Sequence, residues 1–139
     1  MFDAWKRKLE EKKATEKAVA ESRYWKTHPH LRSCLQAMRG SCTVAPVQMH
    51  EAAIAAVNIA LAEDNWKPAE QLPYNFMEGT VYLVWNDEKL PVLTASWTLV
   101  CEELSAVKAV AQKTFLVSEY LDRIIAFDED GTILLYSIA

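Results

Sequence analysis

Glycine is scarce in this chain, and the scarcity excludes one class of nucleotide site. Of the 139 residues only three are glycine, namely Gly40, Gly79 and Gly131. The phosphate-binding loops G-x-x-x-x-G-K and G-x-G-x-x-G need closely spaced glycines so that the backbone can approach the phosphates. Because no such spacing occurs here, the sequence excludes nucleotide binding through these loops.

Cysteine is also sparse, and its arrangement is not that of a disulfide framework. The chain has three cysteines, Cys34, Cys42 and Cys101, with no C-x-x-C pair among them. An odd number of cysteines in apolar or semi-apolar runs favours reduced thiols in a cytosol.

The chain also lacks an apolar run of the length that a signal peptide or a membrane-spanning helix needs. We therefore predict a cytoplasmic protein that has no membrane partner.

Residue types that bind metals are present, but their spacing matches no common metal site. His28, His30, Cys34, Cys42 and His50 could supply zinc ligands, although they follow no usual finger or ribbon pattern. Cys42 and His50 are also the pair that a cysteine nucleophile would need, and no further catalytic signature accompanies them. We predict that the chain is not an enzyme and binds neither a metal nor a cofactor, with Cys34 and Cys101 as packing residues.

The composition is that of one ordinary globular domain. Hydrophobic residues make up 51% of the chain and charged residues 24%, which is typical of a folded protein and not of a disordered one. The length is close to the commonest domain size. We therefore expect a single domain over residues 1–139.

The first part of the chain has helical patterns. Residues 2–23 contain no glycine or proline and are rich in helix-forming residues, so they predict a first helix. A short helix with Leu31 and Met38 on its apolar side should follow Pro29 and end at Gly40. Pro46 is suited to the first turn of a third helix that reaches about residue 64. This third helix is apolar around most of its circumference, and we expect it to be the most buried of the three.

The second part of the chain alternates with the period of strands after a loop at 65–79. The predicted elements are strands at Thr80–Trp85 and Val92–Cys101, a helix at 103–113, a short strand at Phe115–Val117, and a hairpin of Arg123–Phe127 with Thr132–Ile138. The predicted fold class is α+β: three N-terminal helices pack on one face of a four- to five-stranded, mainly antiparallel C-terminal sheet with one intervening helix. Residues 1–64 would form the helical layer and residues 80–139 the sheet layer.

Charge is divided unevenly along the chain. Residues 1–45 carry ten Lys/Arg and five Asp/Glu, whereas residues 46–139 carry five Lys/Arg and fourteen Asp/Glu. A field of one sign attracts partners of the other sign. The basic first helix, with Trp5, Tyr24 and Trp25, is one candidate nucleic-acid surface. Its five carboxylates and the overall pI of about 5.4 make nucleic acid the less favoured partner.

The acidic second part predicts a surface for a basic protein partner. Its carboxylates and aromatic residues fall mostly in predicted loops and strand ends, which meet at the rim of a sheet. The candidate binding residues are Trp66, Glu70, Tyr74, Asp87, Glu88, Glu119, Tyr120, Asp122, Asp128 and Asp130.

The function that these features predict is that of a non-enzymatic, protein-binding inhibitor. The most concrete form is a bacterial immunity protein or antitoxin that neutralises a basic toxin or another nucleic-acid-targeting enzyme. An alternative is a small-molecule-binding or enzymatic α+β cone with a pocket lined by Tyr82, Trp85, Trp97 and Phe127. The sequence does not specify an oligomeric state.

Overall fold

The computed structural model describes residues 29–87 and 89–138, which form four helices and one sheet of seven strands. The predicted helix over residues 2–23 lies outside the described residues. The helices are α1 Pro29–Ala37, α2 Val47–Leu61, α3 Trp97–Glu102 and α4 Leu104–Lys108. The strands are β1 Thr43–Val44, β2 Lys67–Ala69, β3 Thr80–Trp85, β4 Leu93–Ser96, β5 Thr114–Ser118, β6 Arg123–Phe127 and β7 Ile133–Ser137.

The sheet is antiparallel throughout, with the strand order β1-β4-β3-β5-β6-β7-β2. The α+β class is therefore confirmed, but the prediction of four to five strands is too low. The two missed strands are the short edge strands β1 and β2, which come from the predicted helical layer and the predicted loop. β2 contains Pro68, which lacks an N–H group and is tolerated at a sheet edge.

The predicted strand Val92–Cys101 is wrong in its second half, because the chain changes from strand to helix at Ser96. The Ser96 side chain accepts a hydrogen bond from the backbone N–H of Leu99 at 3.2 Å and caps the N-terminus of α3. Trp97, expected at the centre of the strand, is instead the first residue of α3. It is nevertheless a core residue, as the sequence predicts, with 5% of its surface exposed. The helix predicted at 103–113 is also shorter, and only Leu104–Lys108 is helical.

Helices cover both faces of the sheet, so the prediction that they pack on one face is wrong. Successive residues of a strand point to opposite faces. In β3, Val81 and Leu83 belong to the core beneath α1, α3 and α4, which we call the first face. Tyr82 and Val84 belong to the core beneath α2, which we call the second face. The central strands are apolar on both sides, the pattern of strands that are buried on both faces.

α2 is buried along one side only, although its sequence is apolar around most of the helix circumference. Ala53, Val57 and Ala60 are buried against the sheet, whereas Ile59 and Leu61 are exposed. That α2 is the most buried of the three N-terminal helices stays a prediction, because the first of these helices lies outside the described residues. The sheet packs against one side of α2, and much of the other side is exposed to solvent.

The hairpin of β6 and β7 is confirmed, and local turn chemistry explains it. Gly131 has a φ of 85°, a left-handed conformation that favours glycine. A carboxylate oxygen of Asp130 accepts a hydrogen bond from the backbone N–H of Thr132 at 2.9 Å. Hydrogen bonds from Thr132 lower the pKa of Asp130. The turn therefore uses its acidic residues as structural acceptors.

Candidate functional site

The sheet has two ends, and the candidate binding residues are divided between them. Thr80, Ser118 and Arg123 are strand residues at one end, which we call the cleft end. Trp85 and Thr114 are paired at the other end, which we call the opposite end. Strands of this length separate the two ends by roughly 15 Å at about 3.3 Å per residue. The predicted acidic rim is thus two separate surfaces.

The cleft end contains Glu119, Tyr120 and Asp122, and the opposite end contains Asp87, Asp128 and Asp130. Trp66 and Glu70 directly flank the edge strand β2. Tyr74 lies in the segment between β2 and β3, which packs Leu72 and Phe76 on the first face. Glu88 lies outside the described residues.

A cleft of about 610 Å³ lies at the cleft end, between the segment 75–79 and the turn that joins β5 to β6. Glu119, Tyr120 and Asp122 line it, as do Glu78 and Arg123. Glu78 is absent from the sequence-based candidates. The sequence could have indicated Glu78 as a candidate, because it comes directly before Gly79 and β3 and therefore lies at a strand end.

The β5–β6 turn is fixed by Ser118, which is buried. The Ser118 hydroxyl donates a hydrogen bond to a carboxylate oxygen of Asp122 at 2.7 Å and accepts from the backbone N–H groups of Asp122 and Arg123 at 3.1 and 2.9 Å. Leu121 has a φ of 62°, a strained conformation for a residue other than glycine. This turn leaves Tyr120 exposed over 84% of its surface.

Arg123 holds the other wall of the cleft. Its guanidinium donates a hydrogen bond to the carbonyl oxygen of Phe76 at 2.8 Å and lies 5.5 Å from the centre of the Phe76 ring. A cation in this position gains from both the carbonyl and the aromatic face. Arg123 therefore links the segment 75–79 to the start of β6.

The carboxylates of the cleft have no cation partner within the part of the chain that the structure describes. The salt bridge found there joins Lys113 to Asp128 at 3.7 Å, at the opposite end. A β-carbon at Gly79 would lie 3.6 Å from a carboxylate oxygen of Glu119, so the two sides of the cleft come close at this point. Glu78 and Glu119 are thus exposed to solvent without a salt bridge to a described residue, and with Asp122 and Arg123 the cleft holds three carboxylates and one guanidinium.

Three acidic residues at the opposite end, Asp87, Asp128 and Asp130, have partners within the chain. Asp87 accepts a hydrogen bond from the backbone N–H of Lys89 at 2.9 Å, in addition to the Asp130 and Asp128 contacts described above. These interactions are typical of turns. These three carboxylates are therefore engaged in local contacts, as Asp122 of the cleft is with Ser118.

The candidate aromatic residues also differ in availability. The indole N–H of Trp66 donates to the carbonyl oxygen of Ala60 at 2.8 Å, and the Trp66 ring lies 5.2 Å from the ring of Tyr136. Trp66 is therefore a packing residue between α2 and β7. Tyr74, whose carbonyl oxygen accepts from the indole N–H of Trp97 at 2.8 Å, leaves 67% of its surface exposed.

The three cysteines are free thiols. Burial, with smaller contributions from Cys42 and Glu103, raises the pKa of Cys34 to about 12. Burial raises the pKa of Cys42 to about 11 and also raises the pKa of Cys101. All three thiols are protonated at neutral pH, which is the opposite of what a cysteine nucleophile requires.

The described residues contain no group of three or more histidine, cysteine or acidic side chains that could hold a metal ion. His28 lies outside them. The four aromatic residues of the alternative pocket do not share a face of the sheet. Tyr82 belongs to the core of the second face, whereas Trp85, Trp97 and Phe127 belong to the core of the first face.

No model of a known protein family matches the chain, and no curated protein matches its sequence significantly. Over the residues described here, no helix combines the length and the apolar character that crossing a membrane requires.

Proposed function

We propose that the protein is a non-enzymatic binding protein that captures a basic protein partner through the cleft at the cleft end of the sheet. The observation that carries the proposal is the excess of carboxylates in the cleft, where Glu78 and Glu119 form no salt bridge with a described residue and lie beside the exposed ring of Tyr120. Carboxylates recognise arginine and lysine side chains, and a tyrosine ring packs against their aliphatic stems.

The fixed geometry of the cleft supports the proposal. Ser118 and Arg123 hold the two walls through hydrogen bonds to backbone groups. The backbone of the cleft therefore needs little further ordering when a partner binds. A preorganised surface loses less conformational entropy when the partner arrives. The excess of acidic residues after residue 45 would also accelerate encounter with a cationic partner.

The most concrete form of the proposed function is that of a bacterial immunity protein or antitoxin. Such an inhibitor would cover the cationic cleft of a toxin that acts on nucleic acid, with charge complementarity as the basis of recognition. The free thiols are consistent with action in a cytoplasm. This form of the proposal rests on the size, acidity and cleft of the chain.

Affinity capture from the native host tests the proposal. Immobilised full-length protein should retain a basic protein that high salt releases, because the contact is largely electrostatic. The variant Glu78→Gln/Glu119→Gln keeps the shape of the side chains and removes both charges, so it should retain much less of that protein. Mass spectrometry and gel densitometry would identify and quantify what each bait retains.

The matched control is Glu70→Gln/Glu129→Gln, which changes the net charge equally at two exposed positions outside the cleft. It should retain the partner as the unsubstituted protein does. If both double variants retained equally less partner, the overall charge would explain the effect. That result would contradict a role for the cleft. Retention of nucleic acid or of a small molecule in place of a basic protein would contradict the proposed partner class.

A further inference from the structure

The solvent-exposed part of α2 carries more large apolar side chains than is usual for a helix on a protein surface. Val47, Ile54, Ile59 and Leu61 are all exposed, and together they are most of the exposed large aliphatic residues in the described chain. Glu51 is the one acidic or basic residue among the 15 residues of α2, apart from His50. Surface helices usually carry charged outer sides, and an apolar outer side marks an interface.

Three of these residues form a stripe with a regular spacing. Val47, Ile54 and Leu61 are seven residues apart, so neighbours in the stripe differ by only about 20° around the helix axis. Ile54 is the central residue of the stripe, with Val47 and Leu61 about 10 Å away on either side at 1.5 Å per residue. Glu51 and Asn58 lie between them on the same side of the helix.

We propose that α2 packs against α2 of a second copy of this chain, antiparallel, with a two-fold axis at Ile54. In a two-fold interface, if residue i of one copy contacts residue j of the other, then residue j of the first copy contacts residue i of the second, and only a residue on the axis meets its own counterpart. Ile54 then contacts its own counterpart, and Val47 contacts the partner's Leu61. Glu51 lies beside the partner's Asn58, whose carboxamide can donate a hydrogen bond to the carboxylate.

Charge favours a second copy over a basic partner at this surface. Two acidic chains repel each other, and α2 is the side on which they can approach with little repulsion because Glu51 meets Asn58 and not a second carboxylate. On α2 itself a basic partner would find a single carboxylate, and Asp87 in the adjoining groove is accompanied by Lys113, whereas the cleft offers Glu78, Glu119 and Asp122. The pairing of α2 therefore does not rest on the proposed function of the cleft.

A groove beside α2 adds to the surface that the second helix can cover. It measures about 460 Å³ and lies between Ile54, Asn58 and Leu61 on one side and residues 84–87 and 90–92 on the other. Stable, specific interfaces bury about 1,200 Å² or more in total, and the contact proposed here consists of one 15-residue helix and one groove from each copy. We therefore expect a reversible dimer whose population depends on protein concentration.

Sedimentation velocity of the full-length protein over a concentration series tests the pairing. The unsubstituted protein should pass from monomer to dimer as its concentration rises. Ile54→Lys should raise the dissociation constant of the dimer at least ~10-fold, because it places two ammonium groups opposite each other at the axis. Leu61→Lys, which sets a charge against the partner's Val47, should act in the same direction.

The matched control is Ile59→Lys, which introduces the same charge on the same helix about 140° around the axis from Ile54. Ile59 is 61% exposed, against 37% for Ile54. Replacing Ile59 should therefore destabilise the folded monomer no more than replacing Ile54. Ile59→Lys should leave the dimer intact. Circular dichroism would establish that each variant is folded.

A charge-swap experiment tests the axis itself. Ile54→Asp alone should be monomeric, but an equimolar mixture of Ile54→Asp and Ile54→Lys should restore a dimer, since the two charges would then face each other. Recovery of dimer in the mixture supports the antiparallel pairing at Ile54. A monomeric unsubstituted protein at every concentration, equal disruption by Ile59→Lys, or no association in the mixture would each overturn it.

Discussion

Replacing Trp97 by alanine should lower the free energy of unfolding by about 3–5 kcal/mol, the range for removing a large aromatic side chain from a core. Trp97 starts α3, leaves 5% of its surface exposed and packs in the core of the first face. Its indole N–H also donates to the carbonyl oxygen of Tyr74 at 2.8 Å. The side chain therefore joins α3 to the segment that leads towards the cleft.

Trp97→Phe separates the two contributions, because it retains a ring and loses the hydrogen bond. It should cost less than Trp97→Ala, with about 1–3 kcal/mol arising from the unpaired carbonyl of Tyr74. Tyr120→Ala, which removes an exposed ring, should change stability by at most about 0.5 kcal/mol. Urea denaturation followed by circular dichroism measures all three. An unchanged unfolding midpoint for Trp97→Ala would contradict the packing described here.

Reversing the charges of the cleft should produce the largest effect on function. With the captured partner, Glu78→Lys/Glu119→Lys should lower the association rate constant about 10- to 100-fold at low salt, because the steering field at the cleft changes sign. The difference should shrink as ionic strength rises, since the Debye length falls to about 3 Å at 1 M salt. Surface plasmon resonance over a salt series measures both quantities.

The control is Glu70→Lys/Glu129→Lys, which changes the net charge by the same amount away from the cleft. It should slow association only slightly, as expected for the long-range part of the field. Equal slowing by both double variants would mean that overall charge, and not the cleft, directs the encounter. An association rate that does not depend on salt would contradict electrostatic capture altogether.

The sequence predicted those elements that local chemistry determines. The β6–β7 hairpin followed from Asp130 and Gly131, whose turn geometry does not depend on the rest of the chain. The strand at Thr80–Trp85 was also predicted correctly, since its β-branched and aromatic residues favour a strand. The change to helix at Ser96 was missed because Leu93, Ala95 and Trp97 alternate as in a longer strand, and only the capping role of Ser96 distinguishes the two.

Features that depend on topology could not be predicted. The edge strand β2 exists because β7 offers it a partner, although Pro68 disfavours a strand in isolation. The candidate binding residues were separated onto two ends of the sheet by the direction of each strand, which the spacing of carboxylates along the chain does not specify. Glu78 and Glu119 line the same cleft because β3 and β5 pair antiparallel in this register.

Hydrogen–deuterium exchange of the protein, free and bound to its captured partner, tests the central claim most directly. The account predicts that binding slows exchange at the amides of residues 75–79 and 118–123, which form the cleft, and leaves those of residues 128–131 at the opposite end unchanged. Slowed exchange confined to residues 128–131, to α2 or to residues before 29, with the cleft unaffected, would contradict it.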